Sequence, residues 1–267
     1  MNKYLSLLYD RKIKEAESYR KSMVPCKLLK FVSLTDDVKM NNNKFTTLKK
    51  EQAWFSSVEM LNDPYEFKFM FIDEDKLKQH GYTNEIICKF NEFFSNNINQ
   101  WSVLSLSAAS IDCLPMWAYY TNNFRGFCIE YEVQRPDAIF AIAYEPKRIP
   151  IASIFANFFN EFKKMIDHGE ETNPEVEFYS TILRCQLHSK HNSWKHENEF
   201  RILYPLIEKY GQNVNIKDVG LKTNRIIAGL NCATENKIIL NEILNSLGCG
   251  NILESKISGK DYTVFSE

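Results

Sequence analysis

The feature that most constrains this chain is the alternation of charged and apolar residues between Glu197 and Tyr204. Apolar side chains at every second position predict a β-strand with one face against a core. Neighbouring charged side chains on the opposite face would lie about 6.5–7 Å apart. A half-buried strand does not need two carboxylates and a guanidinium in one row for its stability. Chemistry is therefore expected first at this row, which comprises Glu197, Glu199 and Arg201.

The composition is that of an ordinary globular protein, with 44% hydrophobic and 25% charged residues among 267. The net charge of -1 leaves no basic excess for nucleic acid. The 7 cysteines are scattered without a CxxC pair, which disfavours a disulfide framework or a zinc site. No apolar run has the length of a membrane span or a signal peptide. We therefore expect a cytoplasmic protein that does not contact a membrane.

Helix and strand patterns succeed one another without repeats or linkers. Residues 1–24 predict an N-terminal helical arm. The clearest strand covers residues 126–133, and we expect residues 138–144 to pair with it. A regular βαβ alternation is absent, and so are the glycine-rich motifs of Rossmann and P-loop nucleotide sites. We predict a single α+β domain over residues 25–267, with a mixed or antiparallel central sheet and flanking helices.

Several short stretches, taken in order, resemble a known family. They are LNDPYE (61–66), LSLS (104–107), MWAYYTNNFRGFCIEYE (116–132), WKHENEFRILY (194–204) and the isolated strand RIIAGLNC (225–232). The set resembles a large bacterial family of uncharacterised proteins. That family has an Asn-Asp-Pro-aromatic-Glu turn, a Met-Trp-Ala-x-Tyr helix before a Gly-x-Cys-Ile-Glu strand, and a late Trp-x-x-Glu-x-Glu-aromatic-Arg segment. The resemblance implies no particular activity.

The order of elements is also similar to that of the ADP-ribosyltransferase superfamily, which cleaves the nicotinamide–ribose bond of NAD. This similarity implies an ADP-ribosyltransferase-like sheet. Glu199, or Glu197, would take the place of the Glu that stabilises the oxocarbenium-like transition state, and with Glu199 there, Glu197 would polarise the acceptor. Lys30 would stand at the early-strand position where the superfamily usually has Arg or His. Ser105 or Ser107 would stand at its central Ser/Thr strand.

Further residues are expected to complete an NAD site. Arg201 or Lys30 would hold a phosphate, although Lys lacks the bidentate fork of Arg. Tyr120 would present its hydroxyl to the pocket, and Trp194 could stack on a ring. Ser105 completes the expected cofactor-binding set. The expected ligand is NAD or a related nucleotide, without a metal ion, and the acceptor is left open between protein and nucleic acid.

The Asn-Asp-Pro turn at residues 62–64 has two interpretations. It is either a tight surface turn or a turn that aims Asp63 or Glu66 into a pocket. In the second case these carboxylates could join Glu197 and Glu199 around a divalent cation, as in a metal-dependent nuclease. The balanced charge of the chain leaves no obvious track for nucleic acid on such an enzyme.

A metal site and a plain surface strand are further alternatives. His188 and His191 have H-x-x-H spacing, but no second Cys/His pair follows, so we expect no metal there. The charged row could also be a solvated strand face of little energetic value. The protein would then be a non-catalytic binding or regulatory module, for example in a defence or toxin system. Convergence of Asp63, Glu66, Tyr120, Glu199 and Arg201 on one concave pocket would favour an enzyme, whereas separate surfaces would favour the binding module.

Overall fold

The computed structural model describes residues 3–261 and 263–266, where helices surround one large β-sheet. The helices are α1 (Lys3–Tyr9), α2 (Ile13–Ser22), α3 (Val38–Lys49), α4 (Glu74–Gln79), α5 (Asn84–Asn99), α6 (Leu114–Tyr120), α7 (Ala152–Asp167), α8 (Pro174–Arg184) and α9 (Thr234–Ser246). Across these described residues, no helix has both the length and the apolar character needed to cross a lipid bilayer.

The strands are interspersed among these helices along the chain. They are β1 (Lys27–Val32), β2 (Gln52–Ser57), β3 (Met70–Phe71), β4 (Trp101–Ser107), β5 (Phe127–Val133), β6 (Ile139–Ala141), β7 (Ala143–Glu145), β8 (Ile149–Pro150), β9 (Ser189–His191), β10 (Glu199–Pro205), β11 (Gly211–Asn215), β12 (Leu221–Ala228), β13 (Leu253–Ile257) and β14 (Val264–Ser266).

The main sheet follows the order β11–β2–β4–β1–β5–β12–β13–β14, and β10 pairs with both β4 and β6. Its neighbouring strands are antiparallel except β12 and β13. The predicted α+β domain with a mixed central sheet and flanking helices is therefore confirmed. The expected pairing of residues 138–144 with the strand at 126–133 is wrong. Both edges of β5 are taken by β1 and β12, and β6 pairs with β10.

A cleft opens in this sheet where β1 and β2 separate along β4. β1 pairs with β4 at Ser107, whereas β2 pairs with it at Ser102 and Val103. Ser105 lies between these two contacts, and the Lys30 ammonium donates a hydrogen bond to its carbonyl at 3.1 Å. The Lys30 side chain thus provides a hydrogen-bond partner for a backbone carbonyl at the point where β1 and β2 diverge.

One apolar cluster holds the sheet against α3 and α9. It includes Phe45 of α3, Leu244 of α9, and Phe200 and Ile202 of β10. The apolar face predicted for the strand at residues 197–204 therefore does face a core. Because strand side chains alternate, the burial of this face decides on which side of β10 the charged residues lie.

A second apolar cluster joins the N-terminal residues to α4, α5, α7 and α8. The predicted helical arm consists of two helices, because Arg11 has a left-handed backbone (φ 59°) between α1 and α2. Leu5 is buried in the cluster, and Arg20 donates a hydrogen bond to the Ile139 carbonyl at 2.7 Å. The N-terminal helices therefore pack on the rest of the chain, while the boundary at residue 25 stays a prediction.

Gly126 lets β1 and the start of β5 approach closely, because a Cβ there would collide with the Val32 carbonyl oxygen. We expect Gly126→Ala to lower the free energy of unfolding by at least about 2 kcal/mol, since backbone atoms would have to move. Gly259→Ala is the matched control, because no atom lies within 4 Å of its added Cβ. Its change should stay within about 0.5 kcal/mol. Chemical denaturation measures both, and equal stability of the two variants would contradict this role of Gly126.

Candidate functional site

A cavity of about 210 Å³ occupies the cleft between β1 and β2. Its polar lining consists of Lys30, Ser56, Asn62, Glu66, Ser105, Ser107, Tyr120, Lys190, Glu197 and Glu199. Its apolar lining consists of Leu29, Phe31, Met60, Leu61, Val103, Leu106 and Met116. Seven residues singled out from the sequence therefore meet here, and we call this space the front cavity. They are Lys30, Glu66, Ser105, Ser107, Tyr120, Glu197 and Glu199.

Glu197 reaches the front cavity from outside the strand on which it was expected. Residues 192–197 form a 3₁₀ helix, and Asn198 then adopts a left-handed backbone (φ 43°) before β10 begins at Glu199. Asn tolerates this conformation better than most residues, so it can end the short helix and start the strand. The prediction that Glu197 shares a strand face with Glu199 and Arg201 is wrong, although its carboxylate still lies beside that of Glu199 around Lys190.

Lys190 of β9 lies at the centre of the carboxylates. Its ammonium is 2.7 Å from Glu197, 3.2 Å from Glu199 and 3.7 Å from Glu66. All four side chains are buried, so solvent screens these charges little. Burial alone would lower the pKa of Lys190, but the attraction of Glu199 and Glu66 outweighs it and raises the pKa. The ammonium is therefore held charged among three carboxylates.

Arg201 lies behind Glu199 with no exposed surface. Its Nε and Nη2 bind the two Glu199 oxygens at 2.6 and 3.1 Å, and Nη2 is 2.6 Å from Glu66. Nη1 donates to the Leu187 carbonyl at 3.0 Å. Because every guanidinium nitrogen is engaged and Arg201 does not line the front cavity, a direct contact with phosphate finds no support here. The interpretation of the row as a solvated face is wrong.

Glu199 is the carboxylate held most firmly in its ionised form. Burial disfavours the charge, but Arg201 and Lys190 outweigh it and lower the pKa of Glu199 to about 2. The Ser105 hydroxyl also hydrogen bonds to this carboxylate, which favours the ionised form further. Ser105 lies opposite Arg201 in the β4–β10 pairing, so the strand register places its hydroxyl beside the ion pair. Of the two serines considered from the sequence, Ser105 is the one whose hydroxyl bonds to the Glu199 carboxylate, whereas Ser107 is the strand partner of Glu199 and its hydroxyl donates to the Glu197 carbonyl at 2.5 Å.

Tyr120 connects α6 to the carboxylates. Pro115 lies in the first turn of this helix, and Trp117 is fully buried, with its indole N–H donating to the Ile111 carbonyl at 2.7 Å. This anchored helix brings the Tyr120 hydroxyl to Glu197, to which it donates a short hydrogen bond. Burial, together with Glu197, raises the pKa of Tyr120, so its hydroxyl keeps its proton.

The Asn-Asp-Pro turn combines both interpretations made from the sequence. The carboxylate of Asp63 accepts a hydrogen bond from the backbone N–H of Tyr65 at 2.9 Å, so Asp63 stabilises the turn and does not line the front cavity. Glu66, at the end of the same turn, points to Lys190 and Arg201. Burial raises the pKa of Glu66 despite these two cations. The turn therefore aims one of its two carboxylates into the site.

Trp194 covers the network without lining the front cavity. Its ring centroid lies 4.8 Å from the Lys190 ammonium, a cation–π distance. The histidines considered as metal ligands also take other roles. His188 stacks on Phe140 at 4.1 Å between ring centroids, and the His191 ring lies 2.9 Å from the Ser193 hydroxyl. Within residues 3–261 and 263–266, no group of three or more His, Cys, Asp or Glu could hold a metal ion.

Sequence reasoning missed Lys190, which proves to be the shared partner of three carboxylates. The sequence pointed to such a residue only indirectly. Acidic side chains can share a buried face only if cations accompany them. Arg201 alone cannot balance Glu197 and Glu199, so a second cation was required. Two lysines lie shortly before the strand, and only the path of the chain through β9 and the 3₁₀ helix decides that Lys190 turns inward while Lys195 stays exposed.

Comparison with known proteins adds a partial family match. Residues 116–202 match the model of a family described as a protein of unknown function (DUF2971). This segment covers about a third of the chain and contains Tyr120, Lys190, Glu197, Glu199 and Arg201. Neither the curated proteins nor the solved structures provided a match. Over this segment the chain is therefore similar to an uncharacterised family, in agreement with the first resemblance.

Lys190→Met should test how strongly the carboxylates depend on their shared cation. We expect the variant to lose about 3–5 kcal/mol of unfolding free energy, because three buried carboxylates lose the cation that they share. Lys195→Met is the matched control on the exposed side of the same segment, and its effect should stay within about 0.5 kcal/mol. Urea denaturation at neutral pH measures both. Equal losses in the two variants would contradict the central position of Lys190.

Glu199 should make the stability depend on pH in the acid range. Its pKa falls from 4.5 to about 2 on folding, so its ionised form contributes stability that is complete above pH 4.5. That contribution is lost as the pH falls toward 2. We expect the difference in unfolding free energy between wild type and Glu199→Gln to shrink over this interval. Denaturation at successive pH values measures it, and a difference that does not change with pH would refute the ionised state of Glu199.

Proposed function

We propose that the front cavity binds NAD and cleaves its nicotinamide–ribose bond, with transfer of ADP-ribose to an acceptor. The observation that carries this proposal is Glu199, a buried carboxylate with a pKa of about 2 on the cavity wall. Positive charge develops on the ribose as nicotinamide leaves. A fixed, ionised carboxylate stabilises such charge strongly where water is largely excluded. The similarity in element order to ADP-ribosyltransferases supports the same role for Glu199.

The cavity walls suit both parts of nicotinamide riboside, the pyridine ring and the ribose. Leu29, Phe31 and Met116 offer apolar contact for a planar pyridine ring, while Glu199 and Ser105 offer polar contact for ribose hydroxyls. The volume of about 210 Å³ is smaller than the roughly 300–1,000 Å³ typical of pockets for larger ligands. The nicotinamide riboside part would therefore enter, and the remaining nucleotide would lie beyond the mouth.

Lys30 remains the proposed phosphate contact. Its ammonium lines the front cavity and donates to the Ser105 carbonyl, while Arg201 is enclosed behind Glu199. Burial lowers the pKa of Lys30, and the nearby charge of Glu199 opposes this shift. A phosphate at the mouth would favour the protonated amine in the same way.

The chemical step can be assigned to named groups. The bond from ribose C1′ to the pyridine nitrogen breaks, and its electron pair leaves with nicotinamide. The lone pair of an acceptor oxygen then forms the new bond to C1′. Glu197 takes the proton of that acceptor, since its carboxylate lies on the cavity wall between Tyr120 and Lys190. Glu199 stays ionised throughout and contacts the ribose.

A non-catalytic binding or regulatory module is the second candidate. The observation that favours it is the mutual pairing of Glu66, Glu197 and Glu199 with Lys190 and Arg201. These groups satisfy one another, so they could form a rigid wall for a ligand that is held without reaction. If the protein is such a module, its role in a defence system would depend on which partner it binds. Both candidates predict ligand binding in the front cavity, and only the first predicts product.

Incubation with NAD should separate the two candidates. We expect the wild type to release nicotinamide, detected by chromatography, and to form an ADP-ribose adduct detected by mass spectrometry. Glu199→Gln should lower the rate of release at least about 100-fold, because the transition state loses its counter-charge. Glu130→Gln is the matched control, since Glu130 is also a buried carboxylate of the sheet, paired with Arg225 at 2.7 Å outside the front cavity.

Three outcomes are informative. Release that is unchanged in Glu199→Gln would contradict the role of Glu199. Absence of product, together with a melting temperature that NAD raises in the wild type, would favour the binding module. Absence of both product and stabilisation would refute NAD as the ligand.

A further inference from the structure

Part of the wall of the front cavity is a short segment between β2 and β3, residues 58–66. Four of its residues line the cavity, namely Met60, Leu61, Asn62 and Glu66. The same segment also faces solvent, since Met60 is 59% exposed and Asn62 is exposed as well. Because it lines the cavity and faces solvent, this segment separates part of the front cavity from water.

Both ends of the segment are fixed to the rest of the fold. Just before it, the backbone N–H of Ser57 donates to the Tyr210 carbonyl at 3.1 Å. Just after it, Phe67 is buried in an apolar cluster with Val103 and Leu187. Phe67 has a left-handed backbone (φ 55°), which a bulky residue keeps only where its surroundings hold it in place. Residues 58–66 therefore form a loop between two fixed points.

Between these points the backbone is hydrogen bonded only locally. Leu61 donates to the Val58 carbonyl at 3.2 Å, and Glu66 donates to the Asp63 carbonyl at 3.0 Å. Across the part of the chain that the structure describes, no backbone–backbone hydrogen bond joins residues 58–66 to another strand or helix. Segments bonded in this way open at a lower free energy than the strands of a core.

Two side chains join the segment to the charged network. Glu66 lies 2.6 Å from Arg201 and 3.7 Å from Lys190. The Asn62 side chain hydrogen bonds to the Tyr120 hydroxyl. The polar contacts between the segment and the network are therefore made by side chains, which can separate without breaking a strand pairing.

Once β9 and β10 are in place, Glu66 can leave the network without leaving a cation unpaired. Lys190 also binds Glu197 at 2.7 Å, and Arg201 also binds Glu199 at 2.6 Å. Each cation keeps a carboxylate when the segment moves outward, and Glu66 becomes hydrated. Burial raises the pKa of Glu66 in spite of both cations, so the ionised carboxylate is less favoured in this position than in water.

We propose that residues 58–66 form a lid that moves away from the front cavity between Ser57 and Phe67 and controls the entry of ligands. Such a lid would serve an enzyme and a binding module alike, so it does not depend on NAD as the ligand. With the lid open, the cavity admits ligands larger than its volume of about 210 Å³ allows. Glu199 and Lys190 stay in place, because neither belongs to the lid.

A thiol placed inside the front cavity reports whether the lid controls access. Met116 lines the cavity from α6, is only 6% exposed and has no part in the charged network. In Met116→Cys, we expect a methanethiosulfonate reagent to label the new thiol more slowly than the exposed native Cys26 and Cys88, because labelling requires an open lid. Peptide mass spectrometry measures all three rates in one sample.

Pro64→Gly, made in the Met116→Cys background, should favour the open lid, because glycine gives the released segment more backbone freedom. We expect labelling of the new thiol to become about two- to fivefold faster. Pro146→Gly in the same background is the matched control. Pro146 is also exposed but does not line the front cavity, so the labelling rate should stay unchanged.

Amide hydrogen exchange of the unsubstituted chain, followed by NMR, tests the lid even if Met116→Cys does not fold. The amides of Leu61 and Glu66 should exchange by local opening, at rates that low concentrations of denaturant do not change. Amides of β4 and β10 should exchange at rates that rise with denaturant.

Three results would overturn the lid. The first is exchange of the Leu61 and Glu66 amides only through global unfolding, together with the sheet. The second is equal labelling of the new thiol in the Pro64→Gly and Pro146→Gly variants. The third is labelling of that thiol as fast as Cys26, because the front cavity would then be open without any movement of residues 58–66.

Discussion

The structure depends on a buried network of charges in which Lys190 and Arg201 hold Glu66, Glu197 and Glu199. These residues come from a turn, a short strand, a 3₁₀ helix and the first half of β10. A charge left unpaired in such a place costs several kcal/mol, so these segments can close over the sheet only together. The network therefore does more than link neighbouring side chains. It determines how the polypeptide from residue 185 to residue 201 lies against the rest of the chain.

The same network sets the chemistry that the front cavity can offer. Two cations hold Glu199 ionised, while Glu66, which shares both cations, has a raised pKa because its burial counts for more. Chemically identical side chains within one cluster thus have different proton affinities, and this is a common property of sites that handle charge or protons.

Sequence patterns predicted those parts of the fold that depend on local periodicity. The apolar positions Phe200 and Ile202 predicted the buried face of β10. Pairing of residues 138–144 was predicted wrongly, because short strands join whichever edge tertiary packing leaves open. Glu197 was assigned to the strand because one left-handed residue, Asn198, does not interrupt a pattern of period two in the sequence.

The sequence by itself determined that acidic residues would be concentrated at the start of a late strand. It also placed Tyr120, Ser105 and Glu66 in motifs that resemble those of a known family. Only the tertiary structure decided that they meet around Lys190 and that Arg201 supports the site from behind it. The physical reason is the distance along the chain over which each kind of interaction acts. Periodicity and turn chemistry act over a few residues and can be read along the chain. The partners of a buried charge are chosen by segments that are distant in sequence and that approach only when the core forms.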